Sequence, residues 1–348
     1  MASMQDVAKA AGVSPITVSR VMRNGTNVRP ETRERVLRAA SELNYVPNAV
    51  ARSLRQSRSG LLALIITDML NPFFHTIARG AEDAAQAAGM AIVLGNSDDD
   101  AALEAKYLQV MAEHRVDGII LVTTPNTTAD RIPLLPPTAP LVLLDRRPPD
   151  MRGSLVSCDT ATATRDLCRH LFALGHRRIA IVGGMPELLT WRNRLAGYRQ
   201  AQAEAGIPES EDLVRHGVYR APCGQTATRE LLDLDRPPDA IVAASAQVLY
   251  GVLDELARRE MSFPEDISVS CVDDPALPDF FRPRFTHVEQ PGYLMGAAAV
   301  EIILEAQQSG AGIPEDRVFP ASLCIGESCG ELLGPARLRG AVSAAARR

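Results

Sequence analysis

The sequence predicts two folds in series: an all-α helix-turn-helix head, then an α/β core of two doubly wound parallel-sheet subdomains. Three observations carry this. The first 46 residues hold three short amphipathic helix patterns around a tight glycine turn. From Leu61 onward, short apolar runs alternate with amphipathic stretches, the grammar of a mostly parallel sheet covered on both faces. Charge breaks at the same place. Residues 1–60 carry ten Lys and Arg against four acids, a net +6 in a chain of net charge −5, which leaves −11 for the remainder. A basic head on an acidic body puts a polyanionic partner at the head.

The first helix starts near Met4, with Asp6 in its first turn, where a carboxylate suits the helix dipole. Gly12 falls where a left-handed residue ends it. Ser14 then caps the second helix, and Pro15 takes its first position, where a missing N–H costs nothing. Val7, Ala8 and Ala11 share one face, and Val18 and Val21 pack against it. The third helix runs from Pro30 to about Leu43, with Val36, Leu37, Ala40 and Leu43 at core spacing. In such a unit the second helix enters the major groove of duplex DNA. Arg20 is then read as forking onto a guanine edge, worth about 1–3 kcal/mol of base discrimination. Ile16, apolar at an exposed first-turn position, is read as meeting a thymine methyl; Pro15 beside it cannot hydrogen-bond a base. Ser14, Thr17, Ser19, Asn27 and Arg29 are candidate phosphate anchors, and Arg23 near the helix end also faces phosphate.

Residues 1–46 thus form the head, and 47–60 a hinge and linker. Asn48–Leu54 is a seven-residue helix candidate after Pro47, too short to persist alone in water. Ala51 and Leu54 share one of its faces, and a polar run from Arg55 to Gly60 follows.

In the core, strands are expected at Leu61–Thr67, Met90–Gly95, Gly118–Thr123, Pro140–Asp145, Leu155–Ser157, Arg178–Gly183, Leu213–Tyr219, Ala240–Ala244, Ile267–Val272 and Thr286–Glu289. Helices are expected at about 72–88, 100–114, 160–174, 190–205, 222–233, 247–260 and 292–308. That is too many strands for one small sheet. Two halves fit better, with ligands at strand C-terminal ends in the crevice between them. Asp145 and Asp273 end apolar strands, and Arg194 follows the Gly183-Gly184 turn on a helix. Carboxylates and a guanidinium at strand ends suit a polyhydroxyl ligand, with Phe73 or Phe74 available for its apolar face and Trp191 near the same mouth. The structural alternative keeps the aspartates as turn caps and Arg194 as an ion-pair partner of either one. Residues 331–348, rich in Ala and Arg without a leucine heptad, read as a loose tail.

Other classes are disfavoured. The chain has no GxGxxG, no GxxxxGK[ST] and no GxSxG, so an enzyme on this core is not expected, and no cofactor is expected. Six cysteines and six histidines lack CxxC and HExxH spacing, so no metal site is expected, and the thiols read as reduced. The start is not a secretory signal, and no apolar run approaches about twenty residues, so membrane partners are not expected. A secreted solute-binding protein would leave the basic head without a task.

The ordered stretches Gln5-Asp6-Val7-Ala8, Gly12-Val13-Ser14, Thr17-Val18-Ser19-Arg20-Val21, Leu43-Asn44-Tyr45-Val46-Pro47-Asn48 and Ala51-Arg52-Ser53-Leu54 resemble the LacI/GalR family of bacterial transcription regulators. Weaker matches continue through Asn71-Pro72-Phe73-Phe74, Val116–Ile120, Leu174–Ala180, Arg194–Tyr198, Val272-Asp273-Asp274 and Thr286–Pro291. The resemblance implies a cytoplasmic, nucleoid-associated homodimeric repressor of a near-palindromic operator. It implies a periplasmic-binding-protein-like core that answers to a sugar or other metabolite. It implies a hinge helix (Asn48, Ala51, Leu54) that pairs with its mate on the minor groove, with Leu54 as the wedge. It implies effector contacts at Asp145, Arg146, Arg194 and Asp273, beside the Phe73 and Trp191 read from their placement, with Ser245 standing at a further effector position. It also implies three crossings between halves, near Ser157–Thr160, Glu289–Pro291 and Phe319–Leu323, in a core of 61–330. The N-subdomain is then about 61–157 with 291–320, and the C-subdomain about 158–290 with 321–330. The chain departs from the family pattern at Ser245-Ala246, where an Asn-Asp pair is usual, and at Thr160 and Gly326. A core that reads a protein partner is therefore open beside the metabolite reading.

Overall fold

The computed structural model describes residues 2–22, 28–45, 58–132, 139–278, 280–309 and 316–330. Arg23, Asn27, Asn48, Ala51 and Leu54, and the tail expected at 331–348, lie outside them. The chain divides into two compact units, Met1–Ser59 and Gly60–Arg348.

The head holds α1 (Met4–Ala11), α2 (Pro15–Met22) and α3 (Pro30–Glu42). Gly12 ends α1 in the left-handed region at φ 62°, and its N–H reaches back to the carbonyls of Ala8 and Lys9. The Ser14 hydroxyl accepts from Thr17 N at 3.3 Å, capping α2 as expected. Ser3 and Asp6 form a reciprocal capping box on α1, a cap the sequence reading did not assign. Val7, Ala8, Ala11, Val18 and Val21 are buried with Val36, Ala39 and Ala40. One expectation needs correction. Leu37 and Leu43 are exposed, because the small Ala39 and Ala40 occupy the inward face of α3 and let it approach α1 closely.

The core has two six-stranded sheets. The first is all parallel, in the order β11-β5-β4-β3-β1-β2. Its strands are β1 (Leu61–Ile66), β2 (Ala91–Asn96), β3 (Gly118–Leu121), β4 (Leu141–Leu144), β5 (Ser154–Cys158) and β11 (Arg317–Phe319). α4 (Pro72–Ala87) and α10 (Gly292–Ser309) pack on one face, and α5 (Ala101–Glu113) on the other. This is the N-lobe. The second sheet, in the order β12-β10-β9-β8-β6-β7, is parallel except for β12. It comprises β6 (Ile179–Val182), β7 (Val214–Arg215), β8 (Ala240–Ala243), β9 (Ser268–Cys271), β10 (Thr286–Glu289) and β12 (Ser322–Cys324). α6 (Thr160–Ala173) and α7 (Leu189–Glu204) cover one face; α8 (Ala221–Leu232) and α9 (Ala246–Arg258) cover the other. This is the C-lobe.

Nearly continuous apolar runs such as Leu62–Ile66 and Ala240–Ala243 are buried because both sheet faces are covered. The seventh expected strand shrinks to two residues, since Gly217 turns away to bridge Gly184. β11 and β12 were not expected as strands: each has three residues, too short for periodicity to register. The chain passes between lobes three times, after β5, after β10, and between β11 and β12. Among the described residues, no helix is long and apolar enough to cross a membrane.

Candidate functional site

Two surfaces gather the candidate residues. On the head, α2 buries Val18 and Val21 and turns its other side outward. Ile16 is 67% exposed, and Pro15 and Arg20 are also exposed, while Thr17 and Ser19 are half-buried. The Ser14 and Thr17 hydroxyls lie 3.0 Å apart. Arg29 is exposed at the start of α3 and makes no capping bond. The α2 face therefore offers one apolar side chain, one guanidinium and a pair of hydroxyls, with none of the described residues packed over Ile16.

The second site lies between the lobes, at the carboxyl ends of the strands. A small cavity of about 30 Å³ is lined by Phe73, Phe74, Asp145 and Arg146 from the N-lobe and by Arg194, Ser245 and Asp273 from the C-lobe. Each position follows from local structure. Asn71 caps α4 by accepting from Phe73 N at 3.1 Å, which sets Phe73 and Phe74 at the helix mouth. Asp145 directly follows β4 at φ 68°, a left-handed conformation that Asp tolerates better than most side chains. Ser245 caps α9, accepting from Val248 N at 3.3 Å. Arg194, inside α7, donates to the Ala244 carbonyl, lies 3.7 Å from Asp273 and stands 5.3 Å over the Tyr219 ring. Asp273 also accepts from Gln290. Arg146 donates to the Thr67 hydroxyl at 2.8 Å and to Asp99 at 3.3 Å.

Electrostatics in the cavity are tight. Burial pushes Asp99 and Asp145 above the ordinary carboxylate range, with the Arg146 charge opposing it. Burial takes Asp273 up to about 6 against the pull of Arg194 and Gln290. Burial also works against charge on Arg194, but Tyr219, Asp273 and Asp145 hold its guanidinium well above its ordinary value. Several buried polar atoms have no hydrogen-bond partner: Nε and Nη1 of Arg146, Nε of Arg194 and Oδ2 of Asp68, although Arg146 Nε lies 3.9 Å from the Asp145 carboxylate. Unpaired N–H groups at such depth are costly unless an acceptor meets them.

Trp191 does not join this group. It is fully buried under Gly184, donates Nε1–H to His216 Nδ1 at 3.0 Å, and packs in the C-lobe core. The expectation of Trp191 as a cavity contact is corrected: it lies one position from Thr190, which lines the cavity, and so points into the sheet instead. The sequence reading also missed Thr67, Asp68, Asn71, Asp99, Thr190 and Tyr219. A signal existed. Thr67-Asp68 directly follow β1, and Asp98-Asp99 follow β2 after Ser97, at the strand ends where ligands sit in doubly wound sheets.

Comparisons with known proteins agree on both parts of the chain. Residues 3–48 match the model of bacterial regulatory proteins of the lacI family, and residues 168–329 match that of the periplasmic binding protein-like domain. The CytR transcriptional repressor of Escherichia coli (strain K12) is 31% identical over 307 residues, covering 88% of this chain and 90% of its own. Catabolite control protein A of Priestia megaterium is 34% identical over 303 residues, covering 86% and 91%. A Lac repressor dimer bound to operator and the anti-inducer ONPF superposes with a TM-score of 0.80 at 26% identity, covering 94% of this chain and 99% of that one. The complex of the transcriptional regulator CelR with cellobiose superposes with a TM-score of 0.68 at 31% identity, covering 94% and 100%.

Proposed function

This chain belongs to the LacI family of bacterial regulatory proteins, transcription regulators and not enzymes, and from that premise we propose a repressor that binds a near-palindromic operator as a homodimer and is controlled by a small polyhydroxyl metabolite held between its lobes. The carrying observation is the interlobe cavity. Unpaired guanidinium N–H groups of Arg146 and Arg194 and the carboxylates of Asp145 and Asp273 converge there from both lobes. That mixture of donors and acceptors matches the hydroxyls of a sugar or sugar derivative, and Phe73 supplies an apolar wall. The CelR–cellobiose complex and the ONPF-bound Lac repressor support a carbohydrate for this fold.

On the DNA side, α2 reads the major groove. Ile16 and Arg20 face base edges, and Ser14, Thr17, Ser19 and Arg29 hold phosphate. Arg23, Asn27 and the hinge residues Asn48, Ala51 and Leu54 complete that interface, with Leu54 wedging into the minor groove. The Lac repressor dimer on its operator supports the homodimer. A metabolite that binds one lobe arrangement better than the other then shifts operator affinity.

The test is a thermal-shift screen of the full chain against monosaccharides, disaccharides and their phosphate esters. A specific ligand at about one hundred times its Kd adds about 2.7 kcal/mol of stability, a plain rise in melting temperature. Arg194→Ala and the milder Arg194→Lys should both lose the shift while retaining operator binding. If no compound shifts the wild type, the metabolite reading fails and a core that answers to a protein partner replaces it.

A further inference from the structure

Arg220 occupies the N-cap position of α8, yet its side chain makes no capping bond. Such positions favour Ser, Thr, Asp or Asn, whose oxygens accept from the first helical N–H groups. Arg has no acceptor to offer, and here its side chain leaves the helix altogether. It reaches from the C-lobe across the mouth of the cleft. Nη1 lies 2.5 Å from Asp68 Oδ1, and Nη2 lies 3.2 Å from Asp98 Oδ1 and 3.5 Å from the Thr67 carbonyl. Asp68 and Asp98 follow β1 and β2, so both carboxylates belong to the N-lobe.

Three details set this apart from a surface ion pair. The Asp68 side chain is 7% exposed and that of Arg220 is 28% exposed, so solvent screens this arm only in part, whereas Asp98 is 61% exposed and its arm is the more screened of the two. The loop that presents Asp98 holds two successive residues in the left-handed region, Asp98 at φ 51° and Asp99 at φ 57°. Aspartate tolerates this conformation better than most side chains, and the turn sets the two carboxylates against different guanidinium groups. Here Arg146 holds Asp99 from within the N-lobe and Arg220 holds Asp98 from the other lobe. Close by, Gln247 of α9 donates Nε2–H to the Leu70 carbonyl at 2.7 Å, a second tie between the lobes.

We propose that Arg220 is a latch: by spanning Asp68 and Asp98 it biases the two lobes toward the closed arrangement from the protein's own side. Opening the cleft requires that guanidinium and the Asp68 carboxylate to separate and rehydrate together. The latch therefore sets how readily any ligand reaches the cavity. It stands on the interlobe contacts alone and does not depend on what fills the cavity.

Hydrogen–deuterium exchange of the full chain without ligand tests it. In Arg220→Ala, amides of residues 67–74 on the N-lobe and 244–249 on the C-lobe should exchange roughly tenfold faster, the shift that about 1.4 kcal/mol produces. Strands 179–182 and 240–243 should stay unchanged, showing that the fold is intact. Arg220→Lys should recover part of the protection, because one ammonium cannot fork onto two carboxylates. Added NaCl should speed exchange in the wild type and leave Arg220→Ala unmoved. Faster exchange confined to 217–224, on the lobe that carries Arg220, would overturn the latch. Salt acting equally on both proteins would do the same.

Discussion

Asp273 is buried beside Arg194 with its carboxyl pushed up to about 6 from an ordinary 3.8, burial being the largest cause. Between those values the folded protein holds a proton that the unfolded chain has released. The contribution of this group to stability is therefore complete below about pH 4 and is lost as pH rises toward about 6. Asp273→Asn should gain on the wild type across that window in calorimetric melting temperature and then hold a constant difference; a pH-independent difference would show that the carboxyl titrates normally. At the head, Arg20→Ala should relax base choice at one symmetric position of each half-site, costing about 1–3 kcal/mol on the preferred base. Binding to a set of single-base operator variants reads this, and a uniform loss across them would make Arg20 a phosphate contact. Asp145 and Asp273 were legible because each closes an apolar run; Asp68 closes one just as plainly and was passed over, while Asp99 lies past its strand in a turn that strand periodicity does not reach. Trp191 was not, because adjacent helical positions point about 100° apart and sequence spacing alone does not fix which of Thr190 and Trp191 faces the cavity.

At the scale of the element, the helices pack through glycines whose role no periodicity announced. A methyl at Gly251 of α9 would fall on the Ala221 carbonyl, and one at Gly224 of α8 on the Val248 carbonyl, so the two helices cross backbone to backbone. Gly80 and Gly296 repeat the reciprocal arrangement between α4 and α10. Gly251→Ala should lower the urea midpoint of the full chain by an amount equivalent to about 1–3 kcal/mol, the usual range for overpacking, with little change in slope. An unchanged midpoint would mean that α8 and α9 can separate freely. In the head, Ser14→Ala removes the acceptor from Thr17 N and should cost about 1 kcal/mol of stability there. The caps of α1 and α2 could be read from Gly12, Ser14 and Pro15 because each answers a local demand of the backbone. The inward face of α3 could not: Leu37 and Ala39 both fit an amphipathic pattern, and the choice belongs to how closely α1 approaches.

At the scale of the molecule, the head's +6 set against the −11 of the remainder concentrates attraction for phosphate at one end of the sequence. Affinity for a random-sequence duplex should fall linearly in log K against log salt, with a slope near −0.9 for each phosphate neutralised. A flat plot would remove the electrostatic account. The alternation of strand and helix made two doubly wound sheets legible, since each run was long enough to carry its period. β11 and β12 were invisible because three residues carry none. Yet each of these two strands forms one edge of its sheet, and α10, just before them, fills the face of the N-lobe beside α4. This has a bearing on how the protein is made. A ribosome that has released residues up to Gln290 has produced every other strand of the N-lobe, but that lobe still lacks a layer of its core. The nascent chain must carry exposed apolar surface on β3, β4 and β5 through most of its synthesis, until residues 292–319 emerge. The first lobe to be translated is thus among the last to be finished.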